Sequence, residues 1–175
     1  MSNEAIITND LNISSSWVEQ AKSILKKNFL RDEWDIIKVE GEDNTACKIL
    51  DMSCGIDYLL TSSKSSLIFG IASRVQYGQN YRTFTVRKSR ESGVLTEYQK
   101  RQQAISLGGI FPKFTMQAYV KDNEIDGLAI VKTNDLIEFI NRGYAEEKST
   151  RIDKIGQATF YVCKWDNIKF AGYDI

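Results

Sequence analysis

The sequence predicts an α/β fold in which a central mixed β-sheet is flanked by helices. Three observations predict it. Ser16 with Glu19, and Thr96 with Gln99, each fit the capping box in which two side chains satisfy each other's backbone N–H, so they mark two helix starts. Between them lie strand-like runs, and Leu67–Tyr77 alternates its faces with the period of two that a strand requires. The resulting order of helix, three meandering strands, helix and strand suits one mixed sheet with helices on both faces.

Taken in order, residues 1–13 are polar without a clear period and read as a loose arm. From the Ser16 box a helix runs over about Trp17 to Leu30, with Val18, Ala21, Leu25 and Phe29 on one face and Glu19, Lys22, Ser23 and Lys26 on the other. Residues 34–40 read as a short strand and 41–45 as a turn. Cys47 to Asp51 leads into the strand Ile56–Thr61, which a Ser/Lys loop at 62–66 closes against Leu67–Tyr77. In that next strand Phe69, Ile71 and Val75 point one way, and Gly70, Ala72, Arg74 and Gln76 the other. Tyr81–Lys88, rich in Thr and aromatics, is a further strand.

The Thr96 box opens a helix over about Glu97 to Leu107 that Gly108-Gly109 ends. Phe114–Lys121 and Leu128–Lys132 are strands, Asn134 caps a helix to about Arg142, and 157–170 is a final strand or hairpin. With no repeat and no low-complexity linker, residues 1–175 are expected to form a single domain.

Composition narrows the chemistry. Hydrophobic residues make up 42% and charged residues 26%, ordinary for a soluble globular chain. Twenty-three basic residues balance 23 acidic ones, yet between Arg74 and Arg101 seven basic residues face two acids. A local excess of that kind attracts phosphates even when the whole molecule is neutral. There is no histidine, which excludes imidazole-based nucleophilic catalysis. Cys47, Cys54 and Cys163 form no C-x-x-C pair, so a zinc site is not expected, and their odd number favours a reducing cytoplasm. No apolar run reaches the roughly 18 residues of a membrane span, so no membrane partner is expected. Any metal should be a hard cation on carboxylates, with Mg²⁺ the first choice.

Several residues invite a functional reading beside a bland one. Asp57 interrupts an apolar run just after Gly55. It is either a metal-holding acid of a phosphodiesterase or the solvent-facing member of an alternating strand. Arg74 and Gln76 share a face with Ala72 and Gly70, which leaves room for a phosphate or metal, or for a salt bridge to Asp57. The run Arg87–Gly93 either grips a phosphate backbone or is a solvated loop. Tyr77, Tyr81 and Phe84 interleave with basic residues and either stack on bases or pack in the core. Glu97 and Arg101 stand at the i, i+4 spacing of a stabilising helical pair. Gln117 either faces a bound strand or is a buried, satisfied amide.

The element order, with Asp57 following Gly55-Ile56 and a polar face on the next strand, resembles the PD-(D/E)XK nuclease superfamily, the restriction-endonuclease-like fold. The resemblance spans about residues 16–121, leaving 122–175 as a strand–helix–strand extension. It implies an αβββαβ core and Mg²⁺-dependent hydrolysis of DNA. Asp57 would be the metal-binding aspartate and Glu19 the first-helix glutamate. Where the family carries (Glu/Gln)-x-Lys, this chain has Ala72-Ser73-Arg74, or Arg74-Val75-Gln76 if the frame shifts by two. Glu97 would then stand in as the second metal-binding acid and Lys100 as the missing lysine, with Arg74 and Gln76 orienting the phosphate. Arg82, Arg87, Lys88, Arg90 and Arg101 would contact nucleic acid. The resemblance further implies a place in restriction, repair or phage defence, and a homodimer as one assembly. The alternative is a catalytically inactive nuclease-fold module that binds a partner protein, as a phage or plasmid inhibitor of a host enzyme would. A third is an enzyme acting on small nucleotides.

Overall fold

A five-stranded mixed sheet forms the centre of the molecule, in the order β1-β2-β3-β5-β6. Its strands are β1 (Trp34–Lys38), β2 (Tyr58–Ser62), β3 (Leu67–Tyr77), β5 (Phe114–Lys121) and β6 (Glu124–Lys132). The computed structural model describes residues 20–27, 34–152 and 156–172. Neighbouring strands are antiparallel except β3 and β5, which run parallel. A parallel pair needs a crossover, and here it carries β4 (Thr83–Arg90) and helix α3 (Glu97–Leu107). A second sheet of three strands has the order β4-β8-β7, with β7 at Glu146–Ile152 and β8 at Gly156–Lys164.

The alternation read in β3 sorts the two faces of the central sheet. Phe69, Ile71 and Val75 join Leu60, Met116 and Val120 in one core, which Ala21 and Leu25 cover from helix α1 at residues 20–27. The predicted Ser16–Glu19 box, Val18 and Phe29 lie outside the described residues. On the opposite face, Tyr119, Ala129 and Val131 pack against β4, β8, helix α4 (Thr133–Asn141) and helix α5 (Trp165–Phe170). Tyr119 is fully buried and its hydroxyl donates to the Thr83 carbonyl at 3.0 Å, which ties the second sheet to the first.

Two expectations are corrected. The strand near residue 81 does not extend the central sheet; β4 turns away after β3 and pairs with β8, with Arg87 opposite Phe160. Cys47–Asp51 does lead into β2, and it does so as a helical segment. Asn44 caps a short helix α2 (Thr45–Lys48), accepting from the Cys47 N–H, and Ile49–Ser53 continues it as a π-helical turn. Asn134 does not cap α4: the cap residue is Lys132, with no side-chain cap bond. Elsewhere local signals hold. The Thr96–Gln99 capping box is formed, and Gly108 ends α3 at φ 65, in the left-handed region open to glycine. Asp122 and Asn123, both at positive φ, make the tight turn between β5 and β6. No helix among the described residues is long and apolar enough to cross a membrane.

Candidate functional site

A cleft of about 240 Å³ opens where the segment before β2 meets β3, β4, β5 and the first turns of α3. Its floor comes from the face of β3 that the alternation left open: Ala72 and Arg74 line it. Asp57 enters just before β2. Its N–H donates to the Ile71 carbonyl at 2.9 Å, which sets it one step beyond the Tyr58–Ile71 pair and level with Ala72. The Asp57 carboxylate accepts from the Ser73 N–H. Burial raises its pKa from 3.8 to about 7; the bond from Ser73 opposes that rise, and the nearby Glu40 and Asp51 add to it.

Helix α3 sends two charged groups into the same cleft. Glu97, its first residue, accepts from Arg74 Nη2 at 2.6 Å through Oε1 and from the Arg87 N–H at 3.2 Å through Oε2. Burial alone would raise its pKa, but Arg74, Arg101 and the Arg87 N–H outweigh it and hold the carboxyl below its ordinary value. Arg101 lies one turn further on and is only 7% exposed. The i, i+4 neighbours Glu97 and Arg101 favour each other's charge, while the hydrogen-bonded ion pair of Glu97 is with Arg74. Arg101 Nη1 is buried without a hydrogen-bond partner. Burial disfavours its charge, while the fields of Glu97 and Asp57 favour it.

The remaining cations differ in how fully they are engaged. Arg90 donates to the carbonyls of Val94 and Leu95, and Lys100 to that of Met52, so each shapes a loop while keeping its charge. Arg87 Nε is buried without a partner. The Arg87 guanidinium lies 5.5 Å from the centroid of the Phe160 ring, and that of Arg74 lies 5.4 Å from it. Five cations (Arg74, Arg87, Arg90, Lys100, Arg101) and three acids (Asp51, Asp57, Glu97) therefore line one cleft. A buried guanidinium with an unmatched donor costs several kcal/mol unless something anionic meets it. Glu97 and Asp57 supply part of that compensation for Arg101.

Of the residues singled out from sequence, Asp57, Arg74, Glu97, Lys100, Arg87, Arg90 and Arg101 come together here. Gln76 lines a neighbouring groove. Arg82 pairs with Asp166 at 3.3 Å, and Lys88 with Glu147 at 2.5 Å over the Tyr161 ring, both away from the cleft. Glu19 lies outside the described residues. Phe84 is core, whereas Tyr77 and Tyr81 are exposed. Gln117 is buried, yet only its Oε1 is met, by Thr85 at 3.3 Å, and its Nε2 has no partner. Sequence reasoning missed Thr85 and Phe160. The alternation of Thr83, Thr85 and Arg87 against the core residues Phe84 and Val86 would have found the first.

The donor set does not suit Mg²⁺, which prefers several carboxylate and water oxygens in octahedral array. Opposite Asp57 stands the methyl group of Ala72. Both Glu97 oxygens already accept hydrogen bonds. Among the described residues no cluster of three or more acidic, Cys or His side chains could hold a metal ion. Comparison with protein-family models, with curated proteins and with solved structures finds no match for the chain.

Proposed function

We propose that this chain is a nucleic-acid-binding protein on a nuclease-like scaffold, and that its cleft clasps a backbone phosphate of DNA without a metal ion. One observation carries the reading: Arg101, 7% exposed and with a buried, unpartnered Nη1, lines a cleft shared with Arg74, Arg87, Arg90 and Lys100. Guanidinium groups match phosphate oxygens in geometry and charge. At about 240 Å³ the cleft is smaller than the roughly 300–1,000 Å³ of sites for drug-sized ligands, which suits a phosphate group. The order of β1-β2-β3 followed by α3 and a parallel β5, with Asp57 beside β3, supports the restriction-endonuclease-like reading of the scaffold. Ala72 in place of an acid supports binding over metal-dependent cutting.

The test is a fluorescence-anisotropy titration of a labelled DNA oligonucleotide at several salt concentrations, run beside a supercoiled-plasmid nicking assay. Binding that weakens linearly in log–log form as salt rises is expected, with equal plasmid integrity in Mg²⁺ and in EDTA. Absent or salt-insensitive binding would leave a protein partner instead. Nicking that needs Mg²⁺ or Mn²⁺ and is lost in Asp57→Ala would restore the metal-dependent nuclease.

A second reading keeps hydrolysis without the metal. Asp57, with its pKa raised to about 7, is matched to proton transfer at neutral pH. Its carboxylate would take the proton of a water attacking phosphorus while the arginines hold the non-bridging oxygens, and the leaving oxygen would be protonated from solvent. Cutting in EDTA that Asp57→Asn abolishes distinguishes this reading from binding alone.

A further inference from the structure

Beside the phosphate cleft runs a second concavity, and the two share a wall. The register of β4 against β8 sets Thr85 opposite Val162 and Arg87 opposite Phe160, and that of β7 against β8 sets Lys148 opposite Phe160. Phe84, Val86 and Cys163 are fully buried on the core face of this small sheet. Strand alternation therefore turns Thr85, Arg87 and Phe160 to the other face. Part of that face meets Arg74 and Gln117 of the central sheet through Thr85, and the rest carries a groove of about 510 Å³ lined by Phe160, Tyr81, Gln76, Thr85 and two lysines.

Three features of this groove point to one kind of occupant. It is aromatic at its floor and edge, with Phe160 in the sheet and Tyr81 56% exposed beside it. Its lysines, Lys148 and Lys164, share a single acid, Glu146, at 4.0 and 2.7 Å, which leaves an excess of positive charge. It is also continuous with the clasp, because Thr85 lines both and the Phe160 ring sits under Arg74 and Arg87. A phosphate in the clasp thus has a groove with aromatic lining adjoining it across Thr85.

We propose that the groove is a nucleobase subsite, so that the clasp's ligand is a single strand, with a phosphate between Arg101 and Arg74 and the adjoining base stacked on Phe160. This rests on the phosphate-clasp reading above and adds the strand type. A base within a duplex shows only its edge, whereas a single strand can splay a base and offer its face. Stacking on an aromatic side chain is tolerant of sequence, since every base has a π-face. Gln76, at the groove wall, sets an amide near the base edge.

The experiment compares three labelled probes of equal length by anisotropy: oligo-dT, the same strand made abasic, and a duplex. Wild-type protein should bind oligo-dT roughly fivefold to a hundredfold more tightly than the abasic strand, the range expected for stacking one base, and more tightly than the duplex. In Phe160→Leu the ratio between the two strands should fall to within about twofold, and Tyr81→Ala should narrow it as well. Circular dichroism checks that each variant folds, and Tyr81→Ala, altering an exposed ring, keeps the test open where Phe160→Leu fails to. Equal affinity of wild type for base-bearing and abasic strands would overturn the subsite while leaving the clasp intact. A preference for the duplex would overturn it too. No binding of any probe would overturn the clasp and the subsite together.

Discussion

Glu97 and Arg74 meet at 2.6 Å, and this contact fastens the first turn of α3 to the third strand of the central sheet. The side chains are 34% and 26% exposed, so the pair is neither fully screened nor fully desolvated. Because Glu97 also holds the Arg87 N–H, it sets the spacing of β3, β4 and α3 around the cleft. A double-mutant cycle with Glu97→Gln and Arg74→Met should give a coupling of about 1–2 kcal/mol in urea unfolding, within the range for close charged groups. A coupling indistinguishable from zero would mean that packing alone seats the helix.

Arg101 separates stability from binding. Removing a buried charge that no group hydrogen-bonds relieves its desolvation penalty, which is several kcal/mol per ion. Arg101→Met should therefore keep or raise the melting temperature, while weakening DNA binding about tenfold and lowering the log–log salt slope by about one. Loss of stability together with unchanged DNA affinity would make Arg101 a structural residue.

Asp57 makes stability depend on pH in a defined sense. Its folded pKa, about 7, lies above the ordinary 3.8, so the native state holds a proton that the unfolded chain releases first. The stabilisation from this group is complete below about pH 4 and is lost as pH rises through about 7. Carried through in full, the shift corresponds to at most about 4 kcal/mol, and solvent reaching this half-buried carboxyl reduces it. Asp57→Asn keeps an acceptor for the Ser73 N–H and removes the charge. It should be more stable than wild type at pH 8 and close to it at pH 4, read from denaturant midpoints. Parallel pH profiles for the two proteins would show that Asp57 does not carry the linkage.

Much of the scaffold was legible because its signals are local. The period of two in Leu67–Tyr77 and the Thr96–Gln99 box each depend on a few neighbouring residues, and both are formed. What a strand pairs with is not local. The run that became β4 reads as a strand, but its partner β8 lies some seventy residues on, and nothing in the run names that partner. The site shows the same division. Asp57, Arg74, Glu97 and Arg101 stand out singly, by charge within apolar or helical patterns. The i, i+4 attraction of Glu97 and Arg101 was legible and is present, but the hydrogen bond of Glu97 to Arg74, 23 residues away, is set by tertiary packing that no local pattern shows. Ile49–Ser53 has no helical or strand period to read, and its π-helical turn brings Asp51 to the cleft unannounced.

Gly70 tests how the central sheet holds Asp57 in place. A Cβ built at this position would lie 2.7 Å from Ile56 Cδ1 and 2.8 Å from its Cγ1, well inside van der Waals contact. Ile56 is 2% exposed and immediately precedes Asp57, so it has little room to retreat without moving the acid. Gly70→Ala should cost about 1–3 kcal/mol of stability, as overpacking in a tight interior does, and the gain in strand propensity should recover only a part of this. Shortening the neighbour makes the cause visible. Ile56→Ala alone is destabilising by about 2–5 kcal/mol, yet combined with Gly70→Ala it should cost less than the sum of the two, because the close carbons Cδ1 and Cγ1 are then gone. Additive losses in the double variant would mean that Gly70 is required by the backbone rather than by Ile56, and that Asp57 owes its position to the strand ladder alone.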